Sequence, residues 1–159
     1  RRTYLNCWHE SEYESAAMWD TYGKDGESIA IVLPYRALRA VLPTEVAILR
    51  VKYDNLKTTF VSEGSSTDPF LYKRLSFRHE NEVRAIVQEQ PDIHSEQDLE
   101  AETPYKGILI GEGLFSAIQG VHVAPLAEDF FLRVVTDVSA KYGFTVAPQR
   151  SELDDGPVF

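Results

Sequence analysis

The predicted helices and strands of this chain do not alternate, and that order constrains the fold more than any other feature of the sequence. The longest predicted helix covers residues 128–142, where apolar residues recur at helical spacing until Gly143 ends the pattern. It stands between late predicted strands at 120–124 and 144–147. A non-alternating order is typical of α+β domains rather than of doubly wound sheets. We therefore predict an α+β fold with mixed, largely antiparallel sheets and three to four helices.

Short apolar runs and turn residues predict the remaining elements. A helix is expected from Ser11 to Tyr22, because Ser11 and Glu14 have the spacing of a capping box. Further short helical segments are expected at 35–43, 70–75 and 114–118. The other predicted strands lie at 3–9, 28–33, 46–53, 82–88 and 108–110.

The length and composition of the chain suit one domain. It has 159 residues, 43% of them hydrophobic, which is enough to bury a sizeable core. Residues 54–68 accumulate Gly, Ser and Thr, and residues 90–103 are acidic without periodicity. We interpret both stretches as loops or insertions, and residues 151–159 as an acidic tail. The prediction is a single domain over residues 1–159.

Charge and motif content disfavour several classes of function. The net charge of −9 makes binding to nucleic acid or to an anionic membrane unfavourable. No apolar run approaches the roughly 20 residues that span a bilayer. The single cysteine, Cys7, cannot form an internal disulfide and fits a reducing compartment, so we predict a cytoplasmic protein. A phosphate-binding glycine loop and zinc-ligand spacing are both lacking, and no metal is expected.

Two carboxylates at the entrance of a predicted strand form the first candidate site. Glu80 and Glu82 are two residues apart, so in an extended chain they share one face. Such a pair can hold a metal ion, act as acid and base, or stabilise a cation. Arg84 shares that face with Glu82, and Lys73 lies in the basic segment before the pair. The alternative is therefore a structural ion pair of Glu82 with Arg84 or Lys73.

The N-terminal segment supplies the second group of candidates. His9 ends a predicted strand, where its side chain can project into a cleft or form a structural hydrogen bond. Met18, Trp19 and Tyr22 share one face of the predicted helix. They form either an aromatic wall for a planar ligand or part of the core.

These motifs together resemble a bacterial and phage family known as domain of unknown function 2971. The resemblance rests on Cys-Trp-His at 7–9, Glu-Ser-x-Ala-Met-Trp-x-x-Tyr at 14–22 and Glu-x-Glu-Val-Arg at 80–84. It extends over essentially the whole chain, with Val-Lys-Tyr-Asp at 51–54 and Val-His-Val-Ala-Pro at 121–125. Family members usually carry a further N-terminal strand and helix, and we expect that part to be missing here. The family implies no settled reaction.

A weaker resemblance connects the acidic pair with arginine-type ADP-ribosyltransferases, in which a Glu-x-Glu motif precedes a strand. It implies that Glu82 stabilises the ribosyl cation formed when nicotinamide leaves NAD, and that Glu80 orients the acceptor. His9 would be a further catalytic residue. Trp19 or Tyr22 would stack on the nicotinamide, with Arg84 and Lys73 as further cofactor-binding residues. NAD would be the substrate.

Three hypotheses for the function follow from these residues. The first is an NAD-consuming transferase or glycohydrolase that uses Glu82. The second is a non-catalytic binding or sensing module of bacterial or phage origin, acting in phage–host conflict on a small molecule or a protein. The third is a metal-dependent nuclease with Glu80 and Glu82 as ligands, which the net charge disfavours.

Overall fold

The computed structural model describes residues 2–23, 26–60, 64–89 and 113–156, and within them the fold is α+β, as predicted. The α-helices are α1 (Ala16–Tyr22), α2 (Tyr35–Val41), α3 (Gly113–Ala117) and α4 (Asp129–Lys141). The strands are β1 (Arg2–His9), β2 (Ile29–Val32), β3 (Ala47–Arg50), β4 (Lys52–Asp54), β5 (Tyr72–Arg74), β6 (Glu82–Glu89), β7 (Gly120–Val123) and β8 (Gln149–Arg150). The long helix α4 lies between β7 and β8, as expected.

The first sheet is antiparallel and has the order β1-β6-β3. Its register places Cys7 opposite Arg84 and His9 opposite Glu82, so the N-terminal motif and the acidic pair are neighbours. Because β6 has a strand on each side, its apolar residues Val83, Ala85 and Ile86 are buried. The sheet therefore brings together two motifs that are about seventy residues apart in the chain.

The second sheet has the order β2-β7-β8, with β2 antiparallel and β8 parallel to β7. The central strand is buried through Val121 and Val123. The outer strand β2 is different, because no other described strand pairs with its second edge. Ile29 is 48% exposed and Ile31 39% exposed, although the whole strand is apolar. A parallel pair of short strands, β4 and β5, completes the described strands.

The predicted start of the first helix was wrong. The helix α1 begins at Ala16, and Ser15 is its N-cap, with its hydroxyl oxygen accepting from the Met18 amide at 3.4 Å. Ser11 instead forms a local turn in which its hydroxyl oxygen accepts from the Tyr13 amide at 3.2 Å. Glu14 therefore does not cap this helix through a capping box. It accepts a hydrogen bond from the distant Ser151 hydroxyl instead.

Two further predictions about strands were wrong. The strand predicted at 46–53 is broken at Val51, whose amide donates to the Glu82 carbonyl at 2.9 Å, so β3 and β4 belong to different sheets. The late strand is β8, at 149–150 rather than 144–147. The predicted tail is also ordered at Ser151, which is 2% exposed and donates its amide to the Val123 carbonyl at 3.1 Å.

The remaining predictions have mixed outcomes. A short 3₁₀ helix, Asp68–Phe70, and strand β5 replace the helix predicted at 70–75. The described residues between Asp54 and Asp68 contain neither helix nor strand, as expected for a loop. Residues 90–103 and 108–110 lie outside the described residues. In α4 the predicted apolar face is incompletely covered, because Val138 and Tyr142 are exposed.

Among the helices in the described parts of the chain, none has the length and apolar character needed to cross a membrane.

Candidate functional site

A left-handed turn residue separates the two predicted catalytic carboxylates. Glu80 ends the 3₁₀ helix Leu75–Glu80, Glu82 begins β6, and Asn81 between them has φ of 35°. Asparagine adopts this conformation more readily than most residues. The Asn81 side-chain amide donates to the Glu10 carbonyl at 2.5 Å, and the Glu10 amide donates to the Asn81 carbonyl at 3.0 Å. The turn directs both carboxylates toward Lys73.

Four charged side chains form a compact group, which we call the ionic cluster: Lys73, Glu80, Glu82 and Arg84. Arg84 donates to both oxygens of Glu82, from Nε at 2.8 Å and from Nη2 at 2.9 Å. Lys73 donates to Glu82 at 3.3 Å and forms a close ion pair with Glu80. Glu80 is 3% exposed and Glu82 is 7% exposed. Both acids are therefore buried and paired with cations.

Backbone groups and nearby side chains complete the ionic cluster. Arg84 also donates to the Phe70 carbonyl, and the Glu82 amide donates to the Tyr53 hydroxyl at 2.8 Å. Burial acts to raise the pKa of Glu82, but hydrogen bonds from Arg84 and Cys7, with the charges of Arg84 and Lys73, lower it from 4.5 to about 2. Burial and the hydrogen bond to Glu82 raise the pKa of the Cys7 thiol to about 11. At neutral pH Glu82 is ionised and Cys7 is a protonated, weakly nucleophilic thiol.

A cleft of about 390 Å³ lies beside the ionic cluster, between α1 and strand β2, whose outer edge pairs with no described strand. We call it the β2 cleft. Met18, Trp19 and Tyr22 line it from the helix side, and residues 28–33 line it from the strand side. Its volume falls within the range of small-ligand sites, and its walls are largely apolar and aromatic, as such sites are.

Two histidines line the β2 cleft, and each has a buried ring nitrogen without a hydrogen-bond partner among the described residues. His9 Nδ1 lies 2.6 Å from the Glu80 carbonyl oxygen, which can only accept, so Nδ1 carries the proton. In the neutral ring, Nε2 is then an acceptor, and this is the unpartnered atom. His122 Nδ1 is 3.2 Å from Glu14 Oε1, within ion-pair distance but without hydrogen-bond geometry. A bound ligand or water can satisfy both atoms.

Glu14 anchors the base of the β2 cleft to the C-terminal segment. Its Oε2 accepts from Trp19 Nε1 at 3.0 Å and from the Ser151 hydroxyl at 2.5 Å. Its Oε1 accepts from the Glu152 amide at 2.9 Å. Burial acts to raise the pKa of Glu14, but these hydrogen bonds and the nearby His122 lower it below its usual value. Glu14 is thus an ionised carboxylate at neutral pH.

The described lining of the β2 cleft carries acidic side chains but no Lys or Arg. The acidic residues are Glu12, Glu14 and Glu152. Three carboxylates around a cavity with apolar walls produce a negative potential that low dielectric strengthens. The β2 cleft therefore favours ligands that carry a positive charge or hydrogen-bond donors.

The seven predicted site residues fall into two adjacent groups. His9, Trp19 and Tyr22 line the β2 cleft, whereas the two acids, Lys73 and Arg84 form the ionic cluster. The groups meet at the hydrogen bond from His9 to the Glu80 carbonyl. They also meet at the Tyr22 phenol, whose pKa is raised by burial and by Glu80. The sequence patterns therefore identify neighbouring parts of one region.

Sequence reasoning missed His122 and the long-range role of Glu14. His122 occupies an alternating strand with no ligand spacing around it, and its approach to Glu14 depends on the pairing of β7 with β2. Ser151 is 137 residues from Glu14, so their hydrogen bond has no local sequence signal.

The contacts of the acidic pair bear on the nuclease hypothesis. A metal site would need Glu80 and Glu82 as free ligands, but Lys73 pairs with Glu80, and Lys73 and Arg84 both pair with Glu82. In the described residues, no cluster of three or more His, Cys, Asp or Glu has an arrangement that could hold a metal ion. The geometry thus argues against this hypothesis.

Comparison with protein-family models, with curated proteins and with solved structures gives no match to the chain. The two family resemblances therefore stay predictions.

Proposed function

We propose that this chain is a non-catalytic binding module whose ligand site is the β2 cleft. The observation that carries the proposal is the cleft's composition, in which apolar walls surround the unpartnered, buried Nε2 of His9. An unsatisfied buried acceptor is unfavourable unless water or a ligand pairs with it. A ligand with a donor group gains that hydrogen bond on binding, and its apolar body is removed from water against α1 and β2.

The state of Glu82 supports binding over transfer of an ADP-ribosyl group. A carboxylate that stabilises a ribosyl cation must face the reacting carbon, whereas Glu82 is buried and both its oxygens accept from Arg84. The acidic lining of the β2 cleft also repels the diphosphate of NAD. We therefore interpret the ionic cluster as a scaffold that joins β6 to β5 and holds Glu80 and its carbonyl beside His9.

A pair of small aromatic probes with opposite charge tests the proposed site. In a Trp8→Phe background, Trp19 reports on the β2 cleft by fluorescence. We expect phenethylamine to change Trp19 emission at millimolar concentration, and phenylacetate to need at least about tenfold more, because the lining is acidic. Ala30→Phe, which fills the strand side of the cleft, should abolish the response. Equal responses to the two probes, or no response to phenethylamine, would contradict the proposal.

The transferase hypothesis makes a separate, opposite prediction for NAD. Under the binding proposal, incubation of the protein with NAD releases no nicotinamide above the background rate, with or without an arginine-containing acceptor. Free nicotinamide is measured by chromatography, and Glu82→Gln is the matched variant. Release by the natural sequence that Glu82→Gln removes, in protein still folded by circular dichroism, would establish catalysis and overturn the proposal.

A further inference from the structure

We propose that the ligand of the β2 cleft is an extended peptide containing Lys or Arg, which pairs as an added strand with the outer edge of β2, where no described strand pairs. This inference rests on the proposed function and names the chemical class of its ligand. Strand addition to an exposed sheet edge is a general mode of peptide recognition, in which main-chain hydrogen bonds supply affinity and side-chain pockets supply specificity.

The lining of the cleft includes both faces of β2 and part of the neighbouring strand. Six consecutive residues, 28–33, line it, although side chains along a strand alternate between the two faces. His122 of the central strand β7 lines it as well. The cleft therefore covers part of one sheet face and extends around β2 to its outer edge.

The hydrogen bonds to β7 determine which backbone groups face that edge. The Ser28 carbonyl accepts from the Ala124 amide at 2.9 Å, and the Val32 carbonyl accepts from the Gln119 amide at 2.8 Å. In an antiparallel ladder, alternate residues direct both backbone groups to the same neighbour. Ile29 and Ile31 therefore direct their amides and carbonyls away from β7, toward the cleft, where no described strand pairs with them.

The exposed surface of β2 is unusual for an edge strand. Natural edges are commonly protected by charges, proline or bulges, whereas β2 reads Ile-Ala-Ile-Val and its Ile29, Ile31 and Val32 side chains are exposed. The helix α1 forms the opposite wall with Trp19 and Tyr22. An apolar edge strand facing an aromatic helix wall has the arrangement that a bound strand fills.

Charge complementarity selects a basic peptide as the occupant. Glu12, Glu14 and Glu152 line the cleft, and its described lining contains neither Lys nor Arg. Lys or Arg side chains of a bound peptide would offset this negative charge. A second copy of this chain is disfavoured, because it brings a net charge of −9 and the same acidic residues to the contact.

A set of three peptides tests the inference directly. The probes are acetyl-KVKVKV-amide, the acidic counterpart acetyl-EVEVEV-amide, and a copy of the basic peptide N-methylated at alternate residues. We expect the basic peptide to bind by isothermal titration calorimetry, more weakly at high salt. The acidic peptide should not bind, and N-methylation on the pairing edge should weaken binding at least about tenfold, because it removes strand hydrogen bonds.

A backbone variant of β2 provides the matched test on the protein. Ile31→Pro removes a cleft-facing amide without removing a hydrogen bond to β7, a position at which an edge strand tolerates proline. It should weaken binding of the basic peptide at least about tenfold, whereas Ile31→Val, which keeps the cleft-facing amide, should weaken it far less. The N-methylated peptide tests the same bond on the unaltered protein, so the inference stays testable where Ile31→Pro does not fold.

The remaining outcomes would overturn the peptide inference, alone or together with the proposed function. Equal affinity for the N-methylated and unmodified peptides would show that strand pairing is absent and would overturn the inference. Phenethylamine binding without peptide binding would overturn the inference and leave the proposed function intact. No binding of either probe would overturn both. A stable dimer in sedimentation experiments, lost in Ile31→Pro, would identify a second copy as the occupant and overturn the peptide proposal.

Discussion

Replacing Arg84 with Met is expected to lower the free energy of unfolding by about 3 kcal/mol at neutral pH. The variant leaves Glu80 and Glu82, both buried, with Lys73 as the remaining cation of the ionic cluster. Removing one partner of a buried pair is costly, because the other charge stays desolvated without compensation. The measurement is denaturant unfolding followed by circular dichroism. The matched control is Arg50→Met, which removes a surface pair with Glu10 and should cost far less, since the Arg50 side chain is 76% exposed.

The effect of Arg84→Met should shrink in acid. The pKa of Glu82 is about 2 in the folded protein and 4.5 in the reference state, so the folded state favours the ionised form. This contribution to stability is complete above pH 4.5 and is lost as the pH falls from 4.5 toward 2. We expect the difference between the natural sequence and Arg84→Met to be clearly smaller near pH 3. An equal difference at both pH values, or a loss no larger than that of Arg50→Met, would contradict the role given to the ionic cluster.

Replacing Glu14 with Gln is expected to lower the free energy of unfolding by about 2 kcal/mol. Three donors converge on this carboxylate, from Trp19, Ser151 and the Glu152 amide. A glutamine must turn its NH₂ group toward at least one of these donors. That contact loses its charge-assisted hydrogen bond, because two donor groups then face each other. Thermal or denaturant unfolding measures the loss.

The matched control for Glu14→Gln is Glu12→Gln, because Glu12 is an exposed acid in the same loop. It should change the free energy of unfolding by less than about 0.5 kcal/mol. The proteolysis rate of the C-terminal segment should rise in Glu14→Gln alone, because Glu14 holds Ser151 and Glu152. Identical stability of the two variants would show that Glu14 does not anchor this segment.

The local part of the site was accessible from the sequence. The alternation of Glu82 and Arg84 predicts their contact, since residues two apart share a face of a strand. The amphipathic pattern likewise predicts α4. The contact of Lys73 with both acids was harder to predict from the sequence, because it depends on the left-handed turn at Asn81 and on the pairing of β5 with β4.

The β2 cleft was harder to predict from the sequence, because segments that are far apart in the chain form it. A capping box at Ser11 and Glu14 is a sound local prediction, but contacts of Glu14 with Ser151 and Glu152 replace it. Tertiary contacts of this kind outweigh local helix signals. The alternation of the predicted strands also does not specify which strand lies at the edge of a sheet. The peptide inference depends on the outer edge of β2, where no described strand pairs.

The most direct test of the binding proposal is an amide-resolved NMR titration of ¹⁵N-labelled protein with phenethylamine. We expect chemical-shift changes at the amides of residues 28–33 and at the Trp19 indole, with the amides of Glu80 and Glu82 changing less. The same experiment with NAD should leave the spectrum unchanged. Shifts centred on Glu80 and Glu82, or a saturable response to NAD with none to phenethylamine, would show that the β2 cleft is not the ligand site proposed here.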